Sequence, residues 1–188
     1  MTPEEIFKDI AGHMIEGMMF HQQLSEYYEF LGLPGYAECH YYHYLDESCS
    51  YHDLCKYYIV HYNKLLPADE LKDPKVIPSS WYKYTRIDVD PKTKRAGVQD
   101  GLERWVKWEQ DTKTLYEKMY YELINLHEIA AAHEVKQLIK AVGKEIEKSQ
   151  QYHLNKQATD YDIESIISEQ KSKHDEYENK MRSMFLHC

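Results

Sequence analysis

Glycine and proline are scarce in this 188-residue chain, at 7 and 6 residues, and they cluster at a few places. That distribution suits long helices with few connections. No apolar run approaches the length of about 18 residues that a membrane-spanning helix needs. The start, Met1-Thr2-Pro3-Glu4-Glu5, lacks the basic and apolar segments of a secretion signal, so the chain reads as cytoplasmic. Cys39, Cys49, Cys55 and Cys188 form no Cys-x-x-Cys pair, which leaves a zinc ribbon or rubredoxin-like module unsupported and favours isolated thiols. There is no glycine-rich phosphate loop, no Gly-x-Ser-x-Gly elbow and no His-Glu-x-x-His zinc helix. Positive charge is also short: the net charge is −9, which disfavours nucleic acid and anionic membranes as partners and favours cations.

Phenylalanine supplies only 4 residues, whereas tyrosine supplies 18. Buried tyrosines must place their hydroxyls, so a core built from them is either hydrogen-bonded or lines a polar site. The hydrophobic share of 43% and the length are those of one domain with a real core.

Five helices are expected in a single domain spanning 1–188. Thr2 caps the first, over 3–32, with Pro3 in its opening turn and Ile6, Ile10, Met14, Met18, Leu24, Tyr28 and Leu31 at helical spacing. Gly32-Leu33-Pro34-Gly35 forms a tight break, which makes the helix over 34–66 an antiparallel neighbour. Prolines 67, 74, 78 and 91 then punctuate a long crossover, 67–100, of which Ile77 to Ile87, with Trp81 and Tyr84, is expected to pack on the bundle. Leu102, Trp105, Val106, Thr112, Tyr116, Met119, Leu123 and Leu126 give a third helix over 101–131. A turn near 131–134 leads to a fourth over 134–154, and Thr159 with Asp162 resembles a capping box opening a fifth over 160–186.

The second helix carries the best functional clue. Its stripe, His40, Tyr41, Tyr44, Glu47, Tyr51, Leu54, Cys55 and Tyr58, places Glu47 where a packed helix normally has aliphatic carbon. A carboxylate withdrawn from water is costly unless paired, hydrogen-bonded or metal-bound. At about 1.5 Å per residue, Glu16 and Glu47 reach the same height on either side of the first turn, and Glu117 and Glu147 do so about a turn near residue 132. Glu109 competes with Glu117, because it lies squarely on the third helix's apolar stripe, and Glu145 competes with Glu147. His43, one helical turn before Glu47, shares its face, and His13 stands similarly to Glu16.

Gly35-Tyr36-Ala37 leading on to Asp46-Glu47, and Tyr116-Glu117-Lys118 followed by Leu126-His127-Glu128-Ile129-Ala130, resemble the second and third helices of the ferritin-like dimetal carboxylate proteins. The resemblance spans residues 5 to 155. It implies an all-α fold, an antiparallel four-helix bundle with a long crossover between helices two and three, here followed by an additional C-terminal helix. It also implies two divalent metal ions, iron or manganese, held by Glu16, Glu47, Glu117 and Glu147, with His43 as a substitute imidazole, and iron oxidation or a related redox reaction. The chain departs from the family where two Glu-x-x-His pairs are expected: Ser50 follows Glu47 and Gln150 follows Glu147. That departure keeps open a second reading, a non-catalytic bundle serving assembly or partner binding. A homo-oligomer, a dimer or larger, fits either.

Overall fold

The computed structural model describes residues 1–66 and 90–184. Among them run five helices and no strand: α1 (Pro3–Phe30), α2 (Pro34–Tyr62), α3 (Pro91–Asn125), α4 (Ile129–Ala158) and α5 (Ile163–Met184). The expected packing of Ile77 to Ile87 lies outside the described residues.

Local chemistry sets the ends. The Glu5 N–H donates to Thr2 Oγ1 at 3.2 Å and the Thr2 N–H donates to Glu5 Oε2 at 2.7 Å, a reciprocal capping box that opens α1. Gly32, at a φ of 70°, lets the chain reverse, and the Leu33 N–H closes on the Tyr28 carbonyl at 2.9 Å.

Several boundaries differ from the sequence expectation; α2 ends at Tyr62 rather than 66, and α4 runs Ile129–Ala158 rather than 134–154. Helix α3 starts at Pro91, well before residue 101, because the Asp90 carboxylate accepts from the Thr93 N–H at 2.6 Å and the proline ring suits the first turn. Helix α3 ends at Asn125, so the turn comes before 131–134. It is closed by His127 at a φ of 61°, with the Glu128 N–H on the Leu123 carbonyl at 2.9 Å. A left-handed histidine leaves no glycine signal in the sequence. At the last turn, Asp162 caps α5 by accepting from the Ser165 N–H at 2.9 Å, while the Thr159 hydroxyl turns back to the Lys156 carbonyl at 3.1 Å.

Helices α1 and α2 form one antiparallel hairpin, and α3 and α4 the other. His13 meets Thr112 while Tyr28 meets Gly101, so α1 and α3 also run antiparallel. Helix α2 therefore ends at the opposite end of the bundle from the start of α3. Helix α5 lies along α2 in the same direction, since Gly35 meets Gln170, Glu38 meets His174, and Tyr42 meets Tyr177.

The apolar core is split into two. One cluster, including Leu24, Tyr28, Leu31, Val98, Leu102 and Tyr177, fills the end near the first turn. Another, including Ile6, Ile10, Met14, Leu54, Met119, Leu123 and Val135, fills the far end. Each fully buried aliphatic or aromatic side chain contributes about 1.5–3 kcal/mol. Between the two clusters lies a buried polar layer comprising His21, His40, His43, Glu109, Thr112 and Ser149.

Candidate metal centre

The polar layer encloses a cavity of about 50 Å³ whose polar lining comes from all four bundle helices: His21 on α1, His43, Asp46 and Glu47 on α2, Glu109 on α3 and Glu145 on α4. Met14, Leu138 and Val142 close the apolar side. One water needs about 10–15 Å³ of such space, so the cavity suits a few small occupants.

Glu109 is the most deeply placed acid among the described residues, 4% exposed. Its Oε1 accepts the Trp105 indole N–H at 3.0 Å and lies 3.7 Å from His21 Nε2. The other nitrogen of His21, Nδ1, is 3.0 Å from His40 Nδ1, so His40 orients the imidazole that faces the cavity. His40 Nε2 is buried without a partner among the described residues.

Glu47 has no hydrogen-bond or ion-pair partner among the described residues. Withdrawal from water, with Glu109, Asp46 and Glu145 nearby, pushes its carboxyl up to about 8. Burial also raises Glu145 and Asp46, while Lys148 opposes the rise in both. Burial and the neighbouring acids Glu47 and Glu109 push Tyr116 far above its ordinary range, so its phenol stays protonated.

Lys148, one turn beyond Glu145, reaches into the same layer. Its ammonium lies 2.9 Å from His43 Nε2 and 3.4 Å from Glu145 Oε2, and His43 Nε2 is 3.6 Å from that same oxygen. Burial, followed by the charge of Lys148, holds His43 well below its usual range, so the ring is neutral.

Of the residues singled out by sequence, Glu47 and His43 line the cavity. Glu16 does not: it sits outside the lining, beside His13 at 3.9 Å, and Gly17 faces Glu47 instead. Glu117 and Glu147 are exposed, and Glu117 pairs with Lys113 at 3.7 Å. The competing glutamates, Glu109 and Glu145, occupy the cavity wall. The reason is the early turn. Glu109 and Glu145 are equidistant in sequence from His127, whereas Glu117 and Glu147 are equidistant from residue 132, where no turn exists. The α2 stripe shifts as well, since Tyr41 is exposed while His40 and His43 share the buried face. Cys39 and Cys55 are free thiols, but Cys49 is disulfide-bonded, which departs from the expectation of isolated thiols.

Sequence reasoning missed His21, Asp46 and Lys148. His21 does lie on the same α1 face as Gly17 and Leu24, a signal that an unbroken search for acids passes over.

The architecture defines a ferritin-like fold: two long antiparallel hairpins, joined between opposite ends of the bundle, with a further C-terminal helix. Solved structures of an open-pore ferritin from the hyperthermophilic archaeon Archaeoglobus fulgidus superpose with a TM-score of 0.73 at 9% identity, covering 91% of this chain and 93% of that one. A closed form of the A. fulgidus ferritin, engineered by site-directed mutagenesis, gives 0.74 at the same identity and coverage. No protein-family model and no curated protein sequence matches the chain. No described helix is long and apolar enough to cross a membrane.

The fold resemblance implies iron or manganese ions. Imidazole and carboxylate together suit iron, manganese or zinc. The chemistry fits at the His21, Glu47 and Glu109 side, where an unpaired carboxyl, an oriented imidazole and a cavity coincide. As placed, no three His, Cys, Asp or Glu side chains among the described residues converge closely enough to hold an ion, so ligation requires Glu47 and Glu109 to turn within the cavity.

Proposed function

We propose that this protein is a ferritin-like bundle that binds a divalent metal ion of the iron or manganese class at its mid-height polar layer. His21, Glu47 and Glu109 hold it. The observation that carries this reading is the unpartnered carboxyl of Glu47, beside three further acids in a cavity of about 50 Å³. Such a cluster is strained by its own repulsion until a proton or a cation enters.

The surrounding residues have definable tasks. Trp105 steadies Glu109 through its indole N–H, and His40 fixes the rotation of His21. Met14, Leu138 and Val142 keep bulk water from the apolar side. A bound iron or manganese ion would supply one-electron redox chemistry there. Self-association and a cytoplasmic setting belong to the same reading.

Titration calorimetry with Mn(II), together with elemental analysis of protein purified without chelators, tests it. Saturable binding that is lost in Glu47→Ala supports the assignment; unchanged binding in that variant refutes it.

A second reading, a bundle that serves assembly alone, draws on the grip of Lys148 on His43 and Glu145 and on the lack of three convergent donors among the described residues. Its signature is a melting temperature indifferent to iron, manganese and zinc.

A further inference from the structure

We infer that Lys148 is a resident cation that occupies the place of a second metal ion, so that the centre takes one divalent ion rather than two. This rests on the metal-binding reading above and goes beyond it by fixing stoichiometry and naming the residue responsible.

The position of the ammonium carries the inference. A protonated lysine has three donors and no acceptor, so His43 Nε2, at 2.9 Å, must offer it the lone pair that a metal would otherwise use. Glu145 Oε2 receives a second contact at 3.4 Å. The charge also lies 5.7 Å from the centroid of Trp105 and 5.4 Å from that of Tyr177, within reach of a cation–π attraction. One imidazole and one carboxylate, on α2 and α4, are thereby engaged by a positive group built into the chain. Both residues also line the cavity.

Charge balance is compatible with this: Lys148 and one divalent ion together offset all but one of the negative charges of Asp46, Glu47, Glu109 and Glu145. The second ion is excluded by occupation of its ligands, since the ammonium already holds His43 and Glu145.

The test compares the full chain with Lys148→Met, which keeps the side-chain length and removes the charge, and with Lys148→Arg, which keeps the charge. Circular dichroism checks that each folds, and Lys148→Gln replaces the methionine variant if that one does not. Mn(II) binding is followed by calorimetry and by spin counting of bound Mn(II). The expected result is one ion in the natural chain, two in Lys148→Met and one in Lys148→Arg. Two ions in the natural chain, or one in Lys148→Met, overturn the role of Lys148 while leaving the metal-binding reading intact. Ions in Lys148→Met with none in the natural chain overturn the one-ion centre, because Lys148 would then block the whole site. No ion in any variant overturns the metal-binding reading itself, and this inference with it.

Discussion

Gly17 and Glu47 face each other across the α1–α2 interface so closely that a Cβ at Gly17 would stand 3.3 Å from both Cδ and Oε1 of Glu47. The absent side chain on α1 is what gives the carboxyl on α2 its place at the cavity. Gly17→Ala should relieve the helix of a glycine, raising metal-free stability by about 0.5–1 kcal/mol, because the Glu47 carboxyl can shift into the cavity. The added methyl also narrows the room in which Glu47 can turn to meet a metal ion, which should weaken Mn(II) binding. Urea melts and calorimetry on one preparation check both; equal affinity in the two proteins would detach Gly17 from the site.

Glu109 combines a structural and a chemical role that two substitutions separate. Glu109→Ala leaves the buried Trp105 indole N–H without its acceptor, at a cost of about 1–3 kcal/mol. Glu109→Gln keeps an oxygen for the indole and should cost much less. Both should lose Mn(II) affinity. Urea denaturation of the metal-free variants reads the first effect, and a glutamine variant as unstable as the alanine variant would contradict it.

The pH dependence of the metal-free protein has a definite sign. Glu47 is raised in the fold to about 8 from an ordinary value of 4.5, so the folded state holds its proton more tightly than the unfolded chain. Its contribution is fully present below pH 4.5 and is lost as pH rises to about 8. Glu47→Gln should flatten the stability profile across that window. Chemical denaturation at a series of pH values measures it, and an unchanged slope would show that Glu47 is not protonated in the fold.

Helix α3 approaches α1 closely at Gly101, where a Cβ would lie 2.1 Å from the Tyr28 hydroxyl oxygen. Tyr28 is fully buried, with its ring 5.4 Å from His40 and 5.2 Å from Tyr36, so it has little freedom to retreat. Gly101→Ala should destabilise the protein by about 1–3 kcal/mol through overpacking. A thermal melt checks this, and an unchanged melting temperature would mean that the helices separate without cost.

The helices and their pairing were legible because they depend on periodicity and on local stops. Thr2 with Glu5, Gly32 and Pro34 each left a chemical mark at the boundary they set. The α3–α4 turn left none, since His127 takes a left-handed conformation usually signalled by glycine or asparagine. Misplacing that turn by a few residues is enough to exchange Glu109 for Glu117 and Glu145 for Glu147, because each residue along a helix rotates the side chain by about 100°. Glu16 lies one position off along α1: the residue level with Glu47 is its neighbour Gly17. Lys148 was illegible because a lysine on a helix is ordinarily solvated, and only tertiary packing brings its ammonium against His43.

An anomalous difference map from crystals grown with Mn(II) tests the metal centre most directly. The account predicts one peak at the mid-height cavity, within ligand distance of His21, Glu47 and Glu109, with Lys148 still on His43 and with no peak at Glu117 or Glu147. A cavity without anomalous density at saturating Mn(II), or density only at those exposed glutamates, would contradict it.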